Sequence, residues 1–430
     1  MSLFVFLIVV GLCVWFVLSG TEYAYLIGAL GTLLVVAMGR PEHLLILPQT
    51  VFSRIDMFTL MALPLFILAA ELMNRGGVTR ALIDFAMSLT GRTPGALGHV
   101  NVATSVFFGG VSGSAIADAA ALGRTLVPVM EERGYSRRYA ASITAASAII
   151  GPIIPPSIIM ILYGALTGTD IAALFAAGIV PGLLLAAALM LANAGFAIRD
   201  GHPRGDAFSV RKLLAAGWRA APALSLPLII LGGIVFGVVT PTEAGALAVV
   251  AAWGASLRYT RLDRNALAEA LRDAVALSGA MFMLLLTSGL LTYLAALSGF
   301  AQSLSTWLAD AGIVGLPYLA LLVLILLISG MFTGVRLSLF VIVPLLIPPA
   351  IGQGFDPIHL GIVVCLSLTL GLVTPPFGPV LLVTSAVARL TYMDIVRGTV
   401  VFTLVTMGVL ILLGIFPGLS LFLPTALDLR

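Results

Sequence analysis

The chain has 430 residues, 60% of them hydrophobic and 10% charged, with a mean hydropathy of +1.15. Soluble domains carry about 25% charged residues, so the composition excludes a soluble globular protein and specifies an integral membrane one. The net charge of +3 decides little; the placement of the positive residues decides a great deal.

The apolar runs are continuous rather than alternating, which predicts an all-α polytopic membrane protein and not a β-barrel. Ten segments are predicted to cross, each judged against the roughly 20 residues a bilayer helix needs. They lie at about 1–19, 22–38, 57–74, 137–168, 172–198, 213–239, 242–257, 274–297, 357–388 and 393–416. The first lacks a basic n-region and a small-x-small cleavage site, so a retained helix is expected there rather than a signal peptide. Two further stretches, about 94–130 and 316–350, are each long enough for two short helices around a Gly-rich middle, and are predicted to be re-entrant hairpins. Segments near 78–90 and 263–273 mix charge with apolar residues at helical spacing and are expected to lie along the cytoplasmic interface. Cys13 and Cys365 both sit in apolar segments, which argues against a disulfide or a metal site.

This crossing count separates the basic residues sharply. Arg40, Arg54 and Arg430 fall on one side and Arg336 lies inside the second hairpin; the other 18 of the 22 Lys and Arg residues face the opposite side. Short Arg-rich loops stay cytoplasmic, so both termini are predicted to be periplasmic.

Gly110, Pro128, Gly134, Gly151, Pro155 and Pro156 recur 220 positions later as Gly330, Pro348, Gly354, Gly371, Pro375 and Pro376. Such a register marks an internal repeat. Five crossings per half is an odd number, so the two repeats have opposite orientations. The first repeat is expected over 1–198, with a cytoplasmic linker at 199–212 and the second repeat over 213–430. Two opposed hairpins with helices broken at matching places are the pattern of an alternating-access carrier with its site near the midplane.

The first hairpin turns within Gly109–Asp118, where Gly109, Gly110 and Gly113 are expected to unwind the helix. Unwound backbone is tolerated in a bilayer only where it is buried in protein or lines a cavity. Freed carbonyls and Ser hydroxyls suit a hard cation such as sodium, and N–H groups at helix starts suit an anion. The alternative is that small residues simply let helices pack closely. The breaks at 151–157 and 371–378 each contain a Pro-Pro pair, which strips hydrogen bonds from neighbouring carbonyls or merely kinks the helix. Each tip is expected to meet the break of its own repeat, giving two related cation sites.

Asp118 is an intramembrane acid and hence a functional candidate, unless it pairs with Arg124 on the same helix. Arg336 either neutralises a substrate carboxylate or snorkels to the outer surface. Glu243 reads as ordinary helix-start chemistry after Thr240, and His99 and His359 as structural. Glu71 has no partner nearby in sequence. No nucleotide loop, His/Cys cluster or nucleophile elbow is present, so neither an enzyme nor an ATP-driven pump is expected.

The turn GGVSGSAIADAAALG (109–123), the breaks GPIIPPS (151–157) and GLVTPPFG (371–378), and PTEAGA (241–246) resemble the large membrane subunit of tripartite ATP-independent periplasmic (TRAP) transporters. The resemblance covers essentially the whole chain. It implies an elevator-type ion transporter architecture and sodium-driven uptake of organic anions such as C4-dicarboxylates or sialic acids, with no organic cofactor. It also implies two protein partners, a periplasmic substrate-binding protein and a small membrane subunit; the length suggests the small subunit is a separate chain. Carried onto this chain, the sodium sites are Gly110, Ser112, Ser114, Gly151 and Ile154, and Gly330, Thr333, Gly371 and Thr374. The expected substrate-facing set is Gly113, Ser114, Asp118, Pro155, Pro156, Ser157, Arg336, Pro375 and Pro376. One departure stands out: family members often carry an acid where this chain has Gly334, and Arg336 has no common counterpart. The other readings are a stand-alone sodium/carboxylate symporter of similar inverted-repeat fold, and an ion channel or scaffold that would leave the duplicated breaks without purpose.

Overall fold

The computed structural model describes residues 19, 21–37, 45, 49, 56–260 and 262–429, with Val111 described by its backbone alone. The predicted first crossing, apart from Ser19, lies outside the described residues, as do Cys13, Arg40, Arg54, Arg261 and Arg430. Among the described residues all regular structure is helical. In the first half the order is α1 (Tyr23–Ala37), a 3-10 turn (Phe58–Met61) running into α2 (Ala62–Arg75), α3 (Val78–Thr90), α4 (Ala96–Ser112), α5 (Ala115–Glu132), α6 (Arg137–Ala148), α7 (Ile158–Thr167) and α8 (Ile171–Arg199). The second half holds α9 (Val210–Val235), α10 (Pro241–Tyr259), α11 (Arg264–Leu297), α12 (Phe300–Asp310), α13 (Leu316–Val341), α14 (Val343–Gly352), α15 (Pro357–Gly371), α16 (Pro379–Ala388), α17 (Tyr392–Ile415) and α18 (Gly418–Ala426).

Helix starts follow local chemistry. Side chains of Ser114, Ser136, Ser157, Asp170, Asp263, Asp356 and Thr391 each accept a hydrogen bond from a first-turn N–H, satisfying donors that have no intrahelical partner. Among the described residues, six helical runs are long and apolar enough to cross a membrane: Phe58–Arg75, α8, α9, α11, α13 and α17. The shorter α6 and α7, and α15 and α16, fill the two predicted broken crossings. The predicted hairpins are α4 with α5, and α13 with α14.

The first halves of the broken helices form the centre of the molecule. From Tyr139 to Ala148 of α6, and from Ile358 to Gly371 of α15, every residue is buried, as expected of helices enclosed on all sides. Their outgoing halves are exchanged: α7 packs against α13 and α14 of the second hairpin, while α16 packs against α5 of the first. A second group forms around α2, which packs on α10 and α11, with α1 on α11 and α9 on α3. Arg75 joins α2 to α11, its guanidinium reaching Glu269 at 2.6 Å and Asp273 at 2.5 Å.

Three features depart from the sequence reading. Residues 263–273 are not a separate interfacial helix but the first turns of the 34-residue α11. Asp263 caps that helix, and no Gly or Pro separates the charged turns from the apolar ones. At 1.5 Å per residue α11 is about 50 Å long, well beyond a bilayer core, so its charged start projects from the membrane. α12 and the terminal α18 were not expected; α18 packs against α8.

The segment between α8 and α9 is tied to the entrance of the first hairpin. The Gly95 N–H and the Tyr135 hydroxyl both donate to Pro203 O, at 3.1 and 3.0 Å. Asn193 of α8 donates to Gly95 O at 3.2 Å and accepts from the Tyr139 hydroxyl. Asn193→Ala would leave that buried hydroxyl without its acceptor, at a cost of about 1–3 kcal/mol. A lowered unfolding temperature of the purified protein checks this, and an unchanged one rejects it.

Candidate functional site

The first tip is more economical than its glycines suggested. α4 stays helical through Ser112, and the chain turns on Gly113 and Ser114 alone. Gly113 takes a left-handed φ of +60°, which glycine adopts without a steric penalty. Gly109 and Gly110 remain helical and permit close approach instead. A Cβ added at Gly109 would lie 2.6 Å from Gly151 Cα, and one at Gly110 would lie 2.7 Å from Pro227 Cγ of α9. Both residues thus permit close packing of the hairpin on its neighbours. Gly113 itself rests against the break, where its Cβ would sit 3.2 Å from Ile158 N and 3.4 Å from Pro156 O.

Tip and break meet around Asp118. Its side chain is fully buried in the first turn of α5. Among the described residues no ion-pair partner reaches it and neither oxygen has a partner at full hydrogen-bond distance, the Ser112 hydroxyl being the side chain that acts on it. A Cβ at Gly151 would lie 2.1 Å from Asp118 Oδ2, so only glycine leaves room for the acid there. Arg124 is exposed and turns its Nε onto Ala120 O of its own helix at 3.2 Å. The expected alternative, an Asp118–Arg124 pair, does not form. Around the acid stand buried Ser112, and Ser114, whose N–H donates to Ser112 Oγ at 3.3 Å. Ser157 is committed to the break: its hydroxyl donates to Pro152 O and accepts from Met160 N, which starts α7. Ile154 presses on α8 at Gly182, where a Cβ would lie 2.4 Å from Ile154 Cδ1.

The second tip repeats the contact without the acid. α13 is interrupted at Gly334 (φ 74°, ψ 177°). Gly330 and Gly371 face each other so closely that a Cβ at Gly371 would lie 2.9 Å from Gly330 C. Where the first tip has Asp118, the second has hydroxyls. Ser329 and Ser338 Oγ atoms are 2.5 Å apart, and Thr333 Oγ1 is 3.1 Å from Ser338 Oγ. Thr374 donates to Leu370 O at 2.8 Å. The two breaks also differ in access. Pro155 and Pro156 are buried, whereas Pro375, Pro376 and Phe377 are exposed beside Phe332, whose ring lies 5.1 Å from that of Phe377. Arg336 is exposed and makes no ion pair among the described residues.

Several polar residues leading to the tips escaped the sequence reading. Asn101 donates to Thr144 Oγ1 at 2.6 Å, Ser147 to Asn101 Oδ1 at 3.0 Å and Ser105 to Ser147 Oγ at 2.9 Å. This buried ladder joins α4 to α6 one turn below the Gly109–Gly151 contact. Its signal was available: Asn101 and Ser105, like Ser329 and Thr333, are four apart on mostly apolar helices. Glu243 does form a reciprocal capping box with Thr240. Glu71 lies 3.6 Å from Arg75, and His359 Nδ1 lies 2.8 Å from Ser420 Oγ.

Two hairpin tips set against two broken helices, among helices long and apolar enough to cross a membrane, define an all-α polytopic membrane protein. The chain belongs to the family described as "Tripartite ATP-independent periplasmic transporter, DctM component", which it matches over residues 1–419. It is thus a TRAP large permease subunit and not an enzyme. It is 36% identical over 377 residues to the Vibrio cholerae sialic acid TRAP transporter large permease protein SiaM, covering 87% of this chain and 88% of that one. It is also 36% identical over 377 residues to the Escherichia coli 2,3-diketo-L-gulonate TRAP transporter large permease protein YiaN, with the same coverage. The fold matches that of the Alcanivorax borkumensis YdaH transporter with a TM-score of 0.62 at 15% identity, over 88% of this chain and 89% of that one.

Proposed function

We propose that the chain is the large subunit of a sodium-coupled importer of organic acids in a bacterial inner membrane, working by an elevator form of alternating access. In this reading a periplasmic protein delivers the acid, a small membrane subunit on a separate chain completes the permease, and both termini are periplasmic. The observation that carries it is Asp118. A carboxylate buried in a bilayer protein without an ion-pair partner is costly, and a sodium ion held between it, Ser112, Ser114 and the carbonyls near Gly110, Gly151 and Ile154 would relieve that cost. Hard cations favour such all-oxygen surroundings. At the second tip Gly330, Thr333, Gly371 and Thr374 would supply only neutral oxygens, so the second ion is held more weakly. The substrate's carboxylate would lie near the tips, approached through the exposed Pro375, Pro376 and Arg336, with Gly113, Pro155, Pro156 and Ser157 shaping the buried side. Two relatives of equal identity are named for different acids, so the reading stops at the class of organic acids.

The test is accumulation in proteoliposomes holding both membrane subunits, with and without an inward sodium gradient and the cognate binding protein. Uptake requiring both supports the proposal. Uptake without the binding protein would point to the stand-alone symporter, and uptake indifferent to sodium would remove the coupling. If Arg336 meets the substrate carboxylate, Arg336→Lys retains more transport than Arg336→Ala; equal, near-wild-type rates for both place it on the surface.

A further inference from the structure

A cavity of about 720 Å³ opens beside the outgoing arm of the first hairpin, and no residue of either tip or break lines it. Its walls come from α2, α3, α5, α9 and α10, and they carry Arg80, Arg124, Arg219 and Arg258 against the one acid Asp84. None of these four arginines forms an ion pair with a carboxylate among the described residues. The walls are well anchored: the Tyr259 hydroxyl donates to Arg219 O at 2.5 Å, joining α10 to α9. Arg124 engages Ala120 O through Nε, and Arg258 lies over the Trp218 ring at 5.9 Å. Both postures leave terminal guanidinium N–H groups for a ligand.

Four like charges around one cavity repel one another unless something negative sits between them. We propose that this cavity is an oxyanion-binding site, distinct from the transport site, for a ligand carrying phosphate or carboxylate groups. Guanidinium forks match the geometry of both groups and hold them by paired, charge-assisted hydrogen bonds. The volume is that of an ordinary small-molecule pocket and admits either an anionic lipid headgroup or a soluble anion. The site lies on the Arg-rich face, which the positive-inside rule assigns to the cytoplasm, so both sources are at hand. An oxyanion there would bridge Arg124 on the first hairpin to Arg80, Arg219 and Arg258 on α3, α9 and α10. Its occupancy therefore favours the present placement of the hairpin against those helices, whatever acid the permease carries.

Two measurements on the purified permease complex test this. In one, the unfolding temperature is followed against inorganic phosphate, with ionic strength held constant by chloride. In the other, lipid retention is measured by intact-complex mass spectrometry after exposure to phosphatidylglycerol or phosphatidylcholine. A saturable phosphate effect identifies a soluble oxyanion, and selective phosphatidylglycerol retention identifies a headgroup. In either arm the Arg124→Gln/Arg219→Gln variant is expected to weaken binding at least about tenfold, with partial recovery in the Lys/Lys variant. Should the double variant fail to assemble, Arg80→Gln and Arg258→Gln are each exposed single changes that read the same site. No saturable phosphate effect and no lipid preference in the wild-type protein, or identical behaviour in the Gln variants, would overturn the proposal.

Discussion

Asp118→Asn is expected to lower sodium-driven uptake roughly 100-fold while leaving the permease assembled. The substitution keeps the volume of the side chain, so the tight contact with Gly151 survives and only the charge is lost. Removing one member of a buried ion pair costs about 3–5 kcal/mol, and the lower figure already corresponds to roughly a factor of 100 in cation affinity. Folding should not suffer in sodium-free buffer, because the wild-type carboxylate has no ion pair to lose and the Asn amide can still face the Ser112 hydroxyl. Sodium should raise the unfolding temperature of the wild type, since a ligand bound only by the folded state stabilises it in proportion to the logarithm of its saturation. The variant should lose most of that rise. A variant with undiminished sodium dependence in both uptake and unfolding would remove Asp118 from the cation site.

The second large effect concerns the other crossing. A Cβ at Gly371 would lie 2.7 Å from Leu327 O, 2.8 Å from Met331 N and 2.9 Å from Gly330 C. All three are backbone atoms of α13, and none can rotate aside, so α13 would have to move away from α15. Overpacking of this kind costs about 1–3 kcal/mol and sometimes more. Gly371→Ala is accordingly expected to lower the unfolding temperature by several degrees and to abolish most uptake by displacing the second tip. Gly408→Ala is the matched control. It sits inside α17, nothing lies within 4 Å of its added Cβ, and Ala is the better helix former by about 1 kcal/mol. It should therefore keep activity and gain stability. If the two variants unfold and transport alike, the tip-on-break contact is not what Gly371 is for.

The asymmetry between the tips follows from single residues. Asp118 gives the first a buried charge. At the second, Gly334 occupies the interruption of α13 and the local polar groups are the hydroxyls of Ser329, Thr333 and Ser338. The first break is sealed within the protein, whereas Phe332, Pro375, Pro376 and Phe377 leave the second open. The first tip thus encloses an acid, and the second is the more accessible of the two.

Sequence alone determined the membrane class, the two hairpins, the two broken helices and the duplicated register, because each rests on a local cause. Apolar run length sets the spans, and Gly and Pro punctuate them wherever they stand in the fold. The start of α10 was legible for the same reason, since a Thr240–Glu243 cap closes within one turn. What each glycine is for was not legible. Gly109 and Gly110 looked like unwinding residues, yet they are helical and small because Gly151 and Pro227, distant in sequence, press on them. Nor could the sequence choose between Arg124 and solitude for Asp118, because a pair on one helix depends on where the Arg side chain finds another acceptor. The continuity of α11 through its charged start, the Asn101–Thr144–Ser147 ladder and the four-arginine cavity were likewise decided by tertiary structure. Each depends on which faces of separate helices meet, and helical periodicity says which residues share a face but not what that face will touch.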